Sequence, residues 1–189
     1  MKIVIVGAGK VGMALTQQLS ADHSVIIIDE SEQLVENVIN VYDIMGVCGN
    51  GASYEVQKEA EVDKADLLIA TTSSDELNIL SCLVAKKLGV NHTIARIRNP
   101  EYEKQLRFMR EELGLSMAIN PEKVAAREIA RVLRFPTAVA IESFSKGRLE
   151  LIEYRIPEKS MLNGIRLVDL YKSTKIRVLI CAVSRKGET

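Results

Sequence analysis

The run Gly7-Ala8-Gly9-Lys10-Val11-Gly12 carries the spacing G-x-G-x-x-G, and Asp29 follows about 20 residues further on, the separation that nucleotide fingerprints use. Each glycine has a separate task. The first permits a tight turn, the second lets backbone N–H groups approach a pyrophosphate, and the third allows a helix to pack closely on a strand. A helix that starts there presents its positive end to an anion. Asp29 would accept hydrogen bonds from ribose hydroxyls and repel a 2′-phosphate. The chemistry this spacing serves is binding of an adenine nucleotide, with Val11 and Glu30 beside the named residues in the same site.

Other residues fall where such a ligand could reach them. Lys10 lies inside the turn, where it would either add charge near phosphates or stay a solvated loop lysine. Asn50-Gly51 and Thr71-Thr72 follow the third and fourth aliphatic runs, at the carboxyl ends where open α/β sheets bind ligands, although turn formers also sit there. Arg96 and Arg98 alternate along the fifth run and so project to one face, with Arg96 placed to meet phosphates. If Lys10 or Arg96 faces the terminal phosphates, neutralising either would reduce discrimination between ATP and ADP.

Residues for bond-breaking chemistry are not brought together by any spacing in the chain. Tyr54 and Lys58 reproduce Y-x-x-x-K, but after the third run rather than a later one, and two such residues four apart on a helix are common. His23 and His92 each precede a strand, at the edge away from the glycine turn, with no carboxylate arranged to orient them. Zinc-ligand spacings and a Ser-His-Asp order are missing. The expectation is a chain that binds a nucleotide without catalysis and holds no metal.

The elements that position these residues follow from the aliphatic pattern. Ile3–Val6, Val25–Ile28, Ile44–Cys48, Leu67–Ala70, Thr93–Ile97 and Ser116–Ile119 read as strands apolar on both faces, which implies a parallel sheet covered twice. Helical stretches separate them. One runs from Asp75, as cap, to Gly89, as stop, with Leu77, Leu80, Ser81, Val84 and Leu88 as its inward face. Asn120-Pro121 opens a further helix to Arg134 with Val124, Ala125, Ile129, Val132 and Leu133 as an apolar stripe. The fold class is α/β, a Rossmann-like doubly wound sheet of six parallel strands. From residue 137 the texture changes to a small, incomplete α+β unit. Ala138–Ile141, Leu149–Ile156 and Ile176–Val183 are its expected strands, with a short helix near Ile165–Tyr171. The terminal SRKGET follows the last strand without a closing element, as in a fragment of something longer.

Composition narrows the class further. Lys plus Arg and Asp plus Glu are 25 each, so no net field draws the chain to nucleic acid. The apolar run Ile3–Val6 is too short for a leader or a span, which argues for a cytosolic chain without membrane insertion. Cys48, Cys82 and Cys181 each lie in an apolar stretch and are expected as reduced core residues.

The stretches VIVGAGKVGMALTQQL, DE after the second strand, GVCGNGASYEVQKEAEVDKADLLIATTSSDELNILSCLVAKKLGV, TIARIRNPEY and INPEKVAAREIARVL resemble the regulatory subunits of Trk potassium uptake, within the KTN or RCK domain family that controls potassium channels and transporters. The likeness covers Met1 to about Leu133. It implies that residues 1–136 form a nucleotide-binding domain, whose crossover helix spans 121–134, and that 137–189 begin a C-terminal ligand domain. It further implies that Gly7, Gly9, Gly12, Asp29 and Asn50-Gly51 hold NAD(H) or ATP/ADP. Thr71, Thr72 and Arg96 would complete the phosphate and ribose surround, and Lys10 would approach phosphates. The family's Gly-Asp pair after the third strand is here Gly49-Asn50, an amide that can hydrogen-bond but carries no charge. The implied assembly is a homodimer exchanging the crossover helix and building a tetramer or octameric ring under a membrane channel or transporter subunit. That places the chain in the cytoplasm, peripheral at the inner face of the plasma membrane. The competing expectations are a small NAD-dependent oxidoreductase and a redox-sensing regulator.

Overall fold

The computed structural model describes residues 1–144 and 148–185, apart from the side chain of residue 103. Residues 186–189, within the terminal SRKGET, lie outside the described residues. The elements run β1 (Lys2–Val6), α1 (Lys10–Leu19), β2 (Ser24–Asp29), α2 (Glu32–Tyr42), β3 (Met45–Cys48), α3 (Tyr54–Glu59), β4 (Leu67–Ala70), α4 (Asp75–Leu88), β5 (His92–Arg96), α5 (Pro100–Glu111), β6 (Met117–Ile119), α6 (Pro121–Arg134), β7 (Ala138–Phe144), β8 (Leu149–Tyr154) and α7 (Leu170–Thr174).

Six strands pair in the order β3-β2-β1-β4-β5-β6, and every pairing is parallel. The chain therefore leaves β1 and β4 in opposite directions across the sheet, which opens a crevice at their carboxyl ends. Register aligns those ends, with Val6 opposite Ile28 on one side and Ala70 on the other. Alternate residues of each central strand enter different cores. Val4, Val6, Ile26, Ile28, Leu68 and Ala70 pack with Cys82 and Ala85 of α4. Ile3, Ile5, Val25, Ile27 and Ile69 pack with Val35 and Val38 of α2 on the other face. Central strands that are aliphatic at every position are thereby explained, since neither face meets water.

Contacts divide the chain into two compact units, residues 1–126 and those from 127 on. The second contains the antiparallel pair β7–β8, with a register irregularity between Ala138 and Ala140, and α7. Residues 176–183, expected as a strand, take no strand conformation and are exposed throughout. A β ladder needs a neighbour's N–H and C=O groups, and β7 and β8 pair only with each other among the described residues.

Two further expectations are corrected. Cys82 is a core residue, but Cys48 and Cys181 are exposed, because Cys48 ends the edge strand β3 and Cys181 lies in the unpaired terminal segment. In α4 the cap is Ser74, whose side chain accepts from the Leu77 N–H, while Gly89 ends the helix at φ 105° as expected. The inward face of α4 is Asp75, Asn78, Ser81, Cys82 and Ala85, and Leu80 is 49% exposed. Small residues let the helix lie close to the sheet, so the longer aliphatics are displaced to its flanks.

Candidate functional site

The turn after β1 sits in the crevice, with the Gly7 N–H donating to Ile28 O and the Thr71 N–H to Val6 O, both at 2.7 Å. Gly7 adopts φ +102°, and a Cβ there would lie 2.9 Å from the Thr72 nitrogen. A Cβ on Gly12 would lie 1.8 Å from the Gly7 carbonyl oxygen, so only glycine lets α1 start this close to the turn. Gly9 differs from both. It has ordinary extended torsions, and a Cβ on it would meet nothing within 4 Å. Nothing in the protein itself requires glycine there, and the space a side chain would fill lies at the mouth of α1.

That helix mouth is uncapped. Gly9 provides no side-chain bond and α1 has no acid in its first turn. In contrast, α2 to α5 are capped by Ser31, Ser53, Ser74 and Asn99, and Asn120 Oδ1 accepts from the Lys123 N–H at 2.9 Å to cap α6. A helix start with unoccupied N–H groups beside an open volume favours an anion such as a phosphate. Lys10, at the first helical position, is exposed, and Val11 is half-buried behind it.

Asp29 ends β2 on the other side of the crevice. Its Oδ2 accepts from the Ala8 N–H at 2.6 Å and its Oδ1 from the Ser31 N–H at 2.9 Å. The carboxylate therefore holds the glycine turn as well as the start of α2. A carboxylate has about four acceptor positions, so capacity remains for ribose hydroxyls. Glu30 follows and is exposed, with its carbonyl accepting from Cys48 Sγ at 3.6 Å. Asn50 is exposed and its Oδ1 accepts from the Ala52 N–H at 2.8 Å, forming a local turn. Gly51 has a packing task, since a Cβ there would lie 2.1 Å from Val6 Cγ1. Gln57, fully buried, donates to Gly51 O at 2.7 Å and to Ser81 O at 2.9 Å and so fixes this loop to α4.

The β4 side is organised by a residue the sequence reading missed. Asn78, fully buried on α4, accepts from the Thr72 N–H and Thr72 Oγ1, each at 2.8 Å, and donates to Thr72 O at 3.2 Å and Arg96 O at 2.9 Å. A polar residue at helical spacing between Asp75 and Ser81 was the available signal. Thr71 Oγ1 donates to Val6 O and Gly7 O at 3.2 and 3.3 Å, which turns it into the glycine turn rather than into the crevice. Asp75 Oδ2 accepts from the N–H groups of Arg98 and Asn99 at 2.8 and 2.7 Å, fastening the loop after β5. The Arg96 guanidinium donates to Thr72 O at 3.4 Å and pairs with Glu122 of α6. A backbone N–H, and then Arg96, hold the Glu122 carboxyl below its ordinary range. Arg98 is exposed and bonds Ser73 O.

Residues considered for catalysis lie apart from this arrangement. Lys58 pairs with Asp63 at 2.8 Å beside Tyr54 on α3. His92 opens β5 at the opposite sheet edge, and His23 lies in the turn before β2. No group of three or more His, Cys, Asp or Glu is poised around a metal position among the described residues. Nor is any described helix long and apolar enough to cross a membrane.

A family model, the TrkA-N domain, matches residues 3–121. A Trk system potassium uptake protein TrkA homolog of Archaeoglobus fulgidus is 38% identical over 187 residues, 99% of this chain and 42% of that one. The chain thus spans less than half the length of that relative. A TrkA homolog of Methanothermobacter thermautotrophicus is 30% identical over 189 residues, 100% of this chain and 84% of that one. Among solved structures, GsuK bound to ADP is 26% identical, covering 71% of this chain and 34% of that chain with a TM-score of 0.58. Because that family model covers residues 3–121, the stretch that carries the glycine turn, Asp29 and the strands through β6, the chain belongs to the TrkA-N domain family.

Proposed function

We propose that the chain binds an adenine nucleotide, NAD(H) or ATP/ADP, at the carboxyl edge of its sheet, and that it acts as a regulatory part of a potassium-uptake system rather than as an enzyme. The observation that carries this reading is Gly9, a glycine the fold does not need, beside the uncapped start of α1. Phosphates fit the N–H groups of that turn, with Gly7 and Gly12 shaping it and Lys10 adding charge at its rim. The ribose falls to Asp29, and Glu30, Asn50 and Gly51 border the adenosine. Thr72 and Arg96 border the phosphate side, and Thr71 stands behind it, holding the glycine turn through its hydroxyl. A bound nucleotide supplies anionic charge and hydrogen-bonding hydroxyls here, and the protein answers with fixed dipoles.

Regulation requires only that two nucleotides favour two arrangements of the assembly to different extents. The GsuK structure with ADP and the TrkA relatives support this class of role. The nucleotide-binding domain of this reading runs through α6 to residue 136, although the compact units divide within that helix, after residue 126. A homodimer formed through α6, built into a ring on a membrane transporter subunit, completes the reading and gives the chain a cytoplasmic, membrane-peripheral place. Mass spectrometry of nucleotide released from the denatured, purified chain tests it, and adenine nucleotide at near-stoichiometric amounts is expected. Turnover of NADH with a panel of carbonyl compounds would overturn the non-enzymatic part.

A further inference from the structure

Arg96 ends β5 with its side chain 13% exposed, and its three nitrogens have different fates. Nη1 donates to Thr72 O at 3.4 Å, Nη2 pairs with Glu122 Oε1, and Nε is buried without a hydrogen-bond partner among the described residues. The glycine turn is adjacent, because the Thr72 nitrogen is the atom a Cβ on Gly7 would strike at 2.9 Å. Asn78 fixes both the carbonyl of Arg96 and the loop that carries Thr72, so the strand end and the loop are held independently of what the guanidinium binds. Glu122 is 57% exposed and sits in the first turn of α6, behind Pro121.

A guanidinium binds oxyanions best through paired donors, and here one donor is unused while another is engaged by a largely solvated carboxylate. We infer that Arg96 is shared in competition between Glu122 and the outer phosphates of the nucleotide, so that a nucleotide with more than one phosphate releases the first turn of α6. The inference rests on the nucleotide reading above and adds the group that couples the site to the helix. The coupling is reciprocal: whatever holds Glu122 on Arg96 weakens binding of the outer phosphate, and the phosphate weakens the hold on α6. α6 continues from Pro121 to Arg134, past the end of the first compact unit at residue 126, so its first turn is where such a release enters that helix.

The experiment is calorimetric titration of the parent chain and of Glu122→Gln with adenosine and ADP, joined to hydrogen exchange of residues 122–126. Removal of the competing charge is expected to tighten ADP roughly three- to fivefold, the range for a partly exposed ion pair, and to leave adenosine unchanged. ADP is expected to raise exchange in the first turn of α6 in the parent, whereas Arg96→Gln shows no such rise. ADP affinity in Glu122→Gln equal to or weaker than in the parent overturns the inference while the nucleotide reading stands. A parent chain that binds neither ligand overturns both.

Discussion

The Ala8 N–H donates to Asp29 Oδ2 at 2.6 Å, so the acid at the end of β2 and the glycine turn after β1 form one hydrogen-bonded unit. Truncating Asp29 therefore disturbs the glycine turn as well as removing an acceptor for the ribose. Asp29→Ala removes the acceptors of Ala8 and Ser31 together, where hydrogen bonds to a charged group are worth about 1.5–3 kcal/mol each before solvent screening. A stability loss of about 1–3 kcal/mol in urea unfolding is expected. NADH, ATP and ADP affinities should fall together by roughly tenfold to a hundredfold. NADPH should lose less, since the repulsion of a 2′-phosphate is gone. Unchanged affinity for all four would remove Asp29 from the site.

The glycines separate folding from binding. Gly12→Ala would place a Cβ 1.8 Å from the Gly7 oxygen and should cost more than about 2 kcal/mol of stability. Gly9→Ala meets no protein atom within 4 Å and should change stability by less than about 1 kcal/mol. Its methyl group enters the volume assigned to phosphate, so ADP binding should fall at least about tenfold. Parallel urea titrations and calorimetry decide it, and a Gly9→Ala variant that binds ADP like the parent would place the phosphates elsewhere.

The cysteines provide a check on burial. Cys48 and Cys181 are exposed and should react with iodoacetamide in the native chain, while Cys82 should react only after unfolding. Burial pushes the Cys82 thiol from 9.0 up to about 12. A raised value in the folded state means that the neutral thiol is favoured there. The unfolded chain therefore ionises first, and stability contributed by Cys82 is present below pH 9.0 and lost as pH rises toward about 12. Cys82→Ala should show a shallower alkaline loss in urea midpoints between those limits.

The sheet was legible because aliphatic runs in a doubly covered sheet are continuous, and β4 spans Leu67–Ala70 as the pattern indicates. Helix α4 was legible in extent and only partly in orientation, since Ser81 is buried and Leu88 packs on the core while Leu80 is exposed. Its periodic leucines mark a flank, and its buried face reads Asp75, Asn78, Ser81, Cys82 and Ala85, residues chosen for closeness and for loop bonding. The same limit applies to the site. G-x-G-x-x-G announces itself by spacing, whereas Asn78 acts through tertiary bonds to Thr72 and Arg96 that no local pattern encodes. The segment 176–183 has strand-like residues but no strand partner among the described residues, because composition reports propensity and a ladder needs a neighbour.

The last expectation concerns α6 as a contact between copies of the chain. Val124, Ile129, Val132 and Leu133 are 53%, 61%, 56% and 71% exposed, in a helix with no buried residue along Pro121–Arg134. Fully covering an aliphatic side chain stabilises by about 1.5–3 kcal/mol, so pairing two copies through this stripe gains several such contributions from each partner. Ion pairs such as Arg131–Glu128 lie along the same helix and can border such a contact without contributing much to it. Sedimentation at micromolar concentration should therefore find a dimer. Ile129→Glu would bury a carboxylate against the partner's stripe and should weaken the dimer by at least about a hundredfold, which is near 2.7 kcal/mol. Circular dichroism of the variant should keep the parent's signal, because Ile129 touches no part of the buried core. A parent chain that sediments as a monomer, or an Ile129→Glu variant that dimerises as tightly as the parent, places the contact on another surface.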